Sequence, residues 1–213
     1  MLRVGVRLPD APGRIGDYLA DVTALEAAGA DSIWLDTSTE GSIEPWILLG
    51  AIAAVTHRVR LGIRVGSEAG VPVTVNTLMR LSGGRVVLGT RPGREPGALV
   101  EKLKGPRSPS PSILFICDTN VEAERSAALA DGVILAGGEG DVRTLRAARS
   151  QDDFELWVDA PLPGDRAGWA NLTAALEAAG ATGILVSWDP RLIDLLRGAG
   201  EPDDRIDLLI ATG

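Results

Sequence analysis

Leu81-Ser-Gly-Gly-Arg-Val-Val-Leu-Gly-Thr90, with Arg91-Pro-Gly93 directly after it, holds a helix end, a turn, a strand and a loop. Leu78, Met79 and Leu81 close an apolar helical face. Gly83-Gly84 then stops the helix, because glycine reaches left-handed dihedrals without a Cβ clash. Arg85 to Gly89 is a β-branched run that suits a strand covered on both sides. Thr90-Arg-Pro-Gly93 leaves that strand at its carboxyl end, where parallel α/β proteins place their binding loops.

The same rhythm runs in both directions. Strands are expected at Leu2–Leu8, Ser32–Asp36, Val59–Val65, Ser112–Cys117, Gly132–Ala136, Phe154–Asp159 and Thr182–Ser187. Helices are expected at Asp17–Ala28, Pro45–Thr56, Val73–Leu81, Gly97–Lys104, Val121–Ala130, Val142–Arg149, Ala167–Ala179 and Pro190–Gly198. Eight strands, each with a helix after it, predict a single compact (β/α)8 barrel with short loops over residues 1–213. Gly105 to Pro111 is a proline-rich linker, but the α/β pattern resumes directly after it. Ile206 to Ala211 is a short apolar tail. Ala24-Leu-Glu-Ala-Ala-Gly-Ala30 recurs as Ala175-Leu-Glu-Ala-Ala-Gly-Ala181, each copy marking a helix-to-strand turn on the amino-terminal face.

Composition narrows the function. Net charge is −8, which argues against nucleic acid or an anionic membrane as the main partner. No apolar run reaches the ~20 residues that span a bilayer. Cys117 and His57 are the only cysteine and histidine, so neither a disulfide nor a Cys/His zinc site can be built within the chain. Met1-Leu-Arg-Val-Gly5 lacks the layout of a signal peptide, and the expected location is the cytoplasm. The helix at Pro45–Thr56 is apolar on nearly every face, so a second copy of the chain is the expected cover, making a homodimer.

Candidate site residues follow from the strand ends. Asp36 ends the second strand, where it can accept a ligand hydrogen bond, act as a base, or cap the next loop. Asp159 ends the seventh strand, Asp118 follows the fifth, and Glu68 lies in the third-strand loop. Such a ring of carboxylates repels phosphate unless Arg91, Arg94 or backbone amides offset it. Gly137-Gly-Glu-Gly140, between the sixth strand and its helix, is either an anion-binding turn or a plain tight turn. His57 falls on the amino-terminal face and reads as structural, Cys117 as buried packing. Trp34 and Trp157 read as core, and Trp188 as either a stacking platform for a planar ligand or a plug.

Three segments carry a resemblance: LEAAGADSIWLD within Ala24 to Asp36, LLGAIAAVTHRVRLG and LSGGRVVLG within Pro45 to Gly93, and AALADGVILA at Ala127 to Ala136. They resemble the bacterial luciferase-like family of flavin- and deazaflavin-dependent oxidoreductases. The resemblance implies a barrel, usually dimeric. It also implies FMN or the deazaflavin coenzyme F-420 at the carboxyl ends of the strands, passing hydride to a small organic substrate or reacting with oxygen. On that basis the candidate catalytic residues are Asp36 and Thr37. The candidate cofactor-binding residues are Gly66, Ser67, Thr90, Arg91, Gly137, Gly138 and Gly140. The long insertions and the acid–base pair common in the family are not in this chain, so a rival reading is a degenerate barrel that binds a ligand or serves as a subunit partner. A third is another phosphate-binding barrel enzyme.

Overall fold

The computed structural model describes residues 1–9, 13–36, 43–65, 71–93, 96–104, 110–136, 138–149 and 153–198. Eight parallel strands close into a barrel in chain order. They are β1 Arg3–Arg7, β2 Ser32–Asp36, β3 Arg60–Val65, β4 Val86–Thr90, β5 Ser112–Cys117, β6 Gly132–Leu135, β7 Glu155–Asp159 and β8 Gly183–Ser187. The helices between and after them are α1 Ile15–Ala28, α2 Pro45–Val55, α3 Val71–Leu81, α4 Pro96–Lys104, α5 Asn120–Ser126, α6 Glu139–Ala148, α7 Arg166–Ala179 and α8 Leu192–Arg197. The expected (β/α)8 architecture is therefore observed.

Local chemistry explains the ends. Gly83 and Gly84 have φ of 66° and 89°, and the Gly84 amide bonds back to the Met79 carbonyl, stopping α3. The repeated segments build the same turn twice. Gly29 and Gly180 have φ of 101° and 96°, and the following alanine amides bond to Leu25 and Leu176. Helix α5 is shorter than expected, because its chain tightens into turns after Ser126. Helix α6 starts earlier than expected, at Glu139. Its first turn carries Glu139 and Asp141, which complement the helix dipole.

Strand alternation divides the apolar residues into two cores. One lies between sheet and helices. The other fills the barrel and consists of Trp34, Val87, Leu114, Ile116, Ile134, Trp157 and Leu185. Two indoles, Trp34 and Trp157, belong to that interior; the sequence read both as core, and strand parity places them on the inward face. They fit because glycines face them: a Cβ at Gly183 would lie 2.5 Å from the Trp157 ring. Barrel interiors are packed cores rather than pores, so a ligand can enter only above these rings.

The amino-terminal end is sealed by charge. Arg60 forks onto Glu155 at 2.8 and 2.9 Å, and Arg3 reaches the same carboxylate at 3.0 Å. The Trp157 indole N–H also donates to Glu155, at 2.8 Å. Burial pushes the Glu155 carboxyl up, but Arg60, Trp157 and Arg3 together hold it below the usual range. Asp31 lies 3.8 Å from Arg60, and its Oδ2 accepts no hydrogen bond among the described residues. Burial raises its pKa, against the pull of Arg60 and Arg3. On the same end, Arg85 donates to the carbonyls of Ala53, Thr56 and Val59 and caps the end of α2. Glu26 accepts the amides of His57, Arg58 and Val59. His57 is thus part of a structural turn on the amino-terminal face.

Candidate functional site at the barrel mouth

A cavity of about 350 Å³ opens at the carboxyl end of the strands, lined by Arg7, Leu8, Pro9, Asp36, Arg64, Ser187 and Trp188. Strand parity puts Arg7, Asp36 and Arg64 there. Gly5, Trp34 and Gly62 occupy the inward positions two residues earlier, and alternate residues share a face. A Cβ at Gly89 would meet the Trp34 ring at 3.0 Å, Ile116 Cδ1 at 3.2 Å and Arg64 Cγ at 3.6 Å. These groups close over Gly89, so Trp34 and Ile116 fill the barrel beneath the mouth. The charged lining comes from β1, β2 and β3, with Ser187 of β8 beside it, and Leu8, Pro9 and Trp188 supply the apolar lining.

The charges are paired. Arg7 forks onto Asp159, with Nη2 to Oδ1 at 3.2 Å, and the same Nη2 donates to Ser187 Oγ at 3.1 Å. Arg64 lies 3.7 Å from Asp36. All four side chains are about three-quarters buried. Farther out, Arg91 pairs with Asp118, and both are mostly exposed. Of the expected ring of carboxylates, the described members Asp36, Asp118 and Asp159 are therefore each paired with an arginine, and Arg7 and Arg64 supply the pairing at the cavity. Sequence reading passed over both. The signal was present, because Arg3-Val-Gly-Val-Arg7 and Arg60-Leu-Gly-Ile-Arg64 repeat one pattern. In each, the first arginine serves the sealed end, the glycine makes room in the interior, and the second arginine reaches the mouth.

The other candidates fare differently. Asp36 is in the cavity wall. Thr90 is 3% exposed and points outward with Val86 and Leu88, because it falls on their side of β4. It therefore does not face the cavity. Arg91 is on the rim, held by Asp118. Gly138 caps α6 and Gly140 lies in its first turn. The acids of that turn, Glu139 and Asp141, already occupy the positive helix end, which disfavours a phosphate there. Thr37, Gly66, Ser67, Glu68, Arg94 and Gly137 lie outside the described residues, as does the Ile206–Ala211 tail. Cys117 is buried facing the helices, and its thiol is pushed up to about 12 by burial and by Glu122 and Asp118. Among the described residues, no three His, Cys, Asp or Glu side chains are placed to hold a metal ion.

A second cavity of about 390 Å³ lies at the amino-terminal end, lined by Leu2, Arg3, Asp31, Trp169, Glu177 and Leu196 among others. It adjoins the sealed end, whereas chemistry on this architecture gathers at the carboxyl ends of the strands. The mouth is accordingly the candidate site.

Solved structures share this fold. The coenzyme F-420-dependent tetrahydromethanopterin reductase from Methanopyrus kandleri aligns over 94% of this chain and 97% of its own, with a TM-score of 0.74 at 13% identity. An F-420-dependent secondary alcohol dehydrogenase, solved with an F-420–acetone adduct, aligns over 92% and 96% with a TM-score of 0.67 at 12% identity. The chain has the fold of these oxidoreductase barrels. Phosphoribosylanthranilate isomerase from Thermotoga maritima also aligns, over 93% and 97%, with a TM-score of 0.64 at 14% identity. At such identities the likeness is one of fold, and chemistry must be argued from the site. No family model and no curated protein matches the sequence. The resemblance to luciferase-like barrels thus holds at the level of architecture.

Proposed function

We propose that the protein is a flavin- or deazaflavin-linked oxidoreductase acting on a small organic substrate, with the cofactor ring in the barrel mouth. The observation that carries this reading is the cavity at the barrel mouth. Its volume suits one ring system. Arg7, Asp36, Arg64 and Ser187 offer hydrogen-bonding groups, and Leu8, Pro9 and Trp188 offer apolar surface, as an isoalloxazine or deazaflavin requires. The resemblance and the F-420-dependent structural neighbours support the same cofactor class. When bound, the cofactor supplies hydride transfer. The chain's own residues bind and orient: Trp188 offers apolar surface at the rim, the packed barrel interior around Trp34 keeps water out from below, and Arg7, Asp36 and Arg64 hold the polar edge. Asp36 is the described residue placed to accept a proton or hydrogen bond at the cavity wall.

Titrating purified protein with FMN and with F-420, followed by fluorescence and calorimetry, tests the reading. We expect one of them to bind with a Kd below ~100 μM, a weak limit for a cofactor. Binding of neither at that concentration sinks it. A second reading, a ligand-binding barrel without catalysis, is favoured by one observation: each described carboxylate at the mouth is engaged by an arginine, so none stands alone as a base. Under that reading a cofactor binds but is not turned over.

A homodimer through α2 is part of the proposal. The helix buries Leu48, Leu49, Ile52 and Ala53, whereas Ile47 is 70% exposed. Ile43, just before it, is also exposed. No described helix is long and apolar enough to cross a membrane, and a cytoplasmic location accords with the single cysteine.

A further inference from the structure

We infer that Arg7, Asp36 and Arg64 form a donor–acceptor–donor edge that recognises the pyrimidinedione face common to flavins and deazaflavins. This inference rests on the cofactor class proposed above and specifies how the mouth reads it. Arg7 and Asp36 end β1 and β2, and Arg64 is the next-to-last residue of β3; these strands are neighbours in the barrel, and all three residues line the one cavity. In strand order they present a guanidinium, a carboxylate and a guanidinium. A pyrimidinedione presents the complement: a carbonyl oxygen, an N3–H and a second carbonyl oxygen. Arginine donates only, and an ionised carboxylate accepts only, so the order can be read one way.

The arginines suit the task. Asp159 takes two N–H groups of Arg7 and Ser187 a third, which fixes the guanidinium plane. Two of its five N–H donors have no acceptor among the described residues. The stem of Arg64 lies against its register partner Gly89, beside Ile116 and the edge of Trp34, which supports the guanidinium from below. A planar ring whose dione edge meets Arg7, Asp36 and Arg64 then has Leu8, Pro9 and Trp188 for its apolar contacts. The mouth's charges balance, two arginines against two aspartates, so it draws a neutral edge in preference to a phosphate. The cofactor's phosphate then sits outside this cavity.

The test compares FMN with N3-methyl-FMN, or the F-420 deazaflavin with its N3-methyl derivative if F-420 is the ligand that binds. Methylation removes the N3–H and leaves the phosphate and ring unchanged. Wild type is expected to bind the parent at least tenfold more tightly. In Asp36→Ala, checked for folding by circular dichroism, the two are expected to bind within twofold of each other. The visible spectrum of the bound parent is also expected to shift between wild type and this variant. Equal affinity of wild type for both ligands overturns the inference while leaving the cofactor reading intact. A tenfold preference that survives in Asp36→Ala overturns it too, because another residue then reads N3. Should Asp36→Ala not fold, the Asp36→Asn spectrum and the wild-type comparison decide. Failure of both parent cofactors to bind overturns the cofactor reading itself, and this inference with it.

Discussion

Trp34 occupies the space that a side chain at Gly62 would need: a Cβ built there would lie 2.2 Å from the indole. The two residues are register partners on β2 and β3, both facing the barrel interior. One cannot grow unless the other shrinks or the sheet moves. Gly62→Ala is therefore expected to destabilise the protein by about 3 kcal/mol or more, at the upper end of overpacking costs. Urea unfolding measures it. Combining it with Trp34→Leu should give a loss smaller than the sum of the two single losses, since the clash is then absent. Strict additivity would show that the two do not share this space.

Glu155 anchors the sealed end, taking Arg60, Arg3 and the Trp157 indole together. Glu155→Gln leaves Arg3 without this charge partner and Arg60 with only the more distant Asp31, in a partly buried setting. We expect a loss of about 3 to 5 kcal/mol. A thermal melt unchanged within a few degrees would mean that the network contributes little.

Glu26 adds pH dependence. Burial raises its pKa, but the amides of Val59, Arg58 and His57 outweigh that, so the folded carboxyl lies below its ordinary range. A depressed carboxylate contributes stability that is full above the unfolded value and is lost as pH falls through the folded one. The stability gap between wild type and Glu26→Gln should thus be constant from neutral pH down to about 5. It should shrink as the pH is lowered beyond that. Chemical denaturation between pH 3 and 7 reads the gap, and a gap that widens on acidification contradicts the assignment.

Cys117 should be inert in the native state. With its thiol pushed up to about 12 and its side chain buried, almost no thiolate exists at pH 8. Iodoacetamide is expected to modify the unfolded chain and to spare the folded one, as mass spectrometry would show. Equally fast labelling of both would place the thiol at the surface.

Ile47→Glu tests the proposed dimer. Ile47 is exposed, so the fold should survive. The mass from sedimentation velocity should fall from that of two chains to that of one. A variant that remains dimeric moves the interface elsewhere, and a monomeric wild type removes the dimer.

The strand and helix sequence was legible because each signal is local. Gly83-Gly84, Gly29 and Gly180 stop helices through backbone dihedrals that depend on those residues alone. The β-branched runs between them have one compatible conformation. Counting eight such units was enough for the barrel, and the inward tryptophans followed from their place in the strands. The mouth was legible only in part. Asp36 stood at a strand end and could be named, but Arg7 and Arg64 were passed over because their roles depend on partners 152 and 28 positions away. Thr90 looked like a loop residue, yet one step in strand parity turns it toward the helices. Whether a charged side chain repels a ligand, holds one or is neutralised by a neighbour depends on which strand ends closure of the barrel brings together. Linear order set the elements of this protein. Closure through β1 and β8 brought Arg7 to Asp159, and the pairing of β1, β2 and β3 set Arg7, Asp36 and Arg64 at one cavity, since such contacts have no counterpart in local propensity.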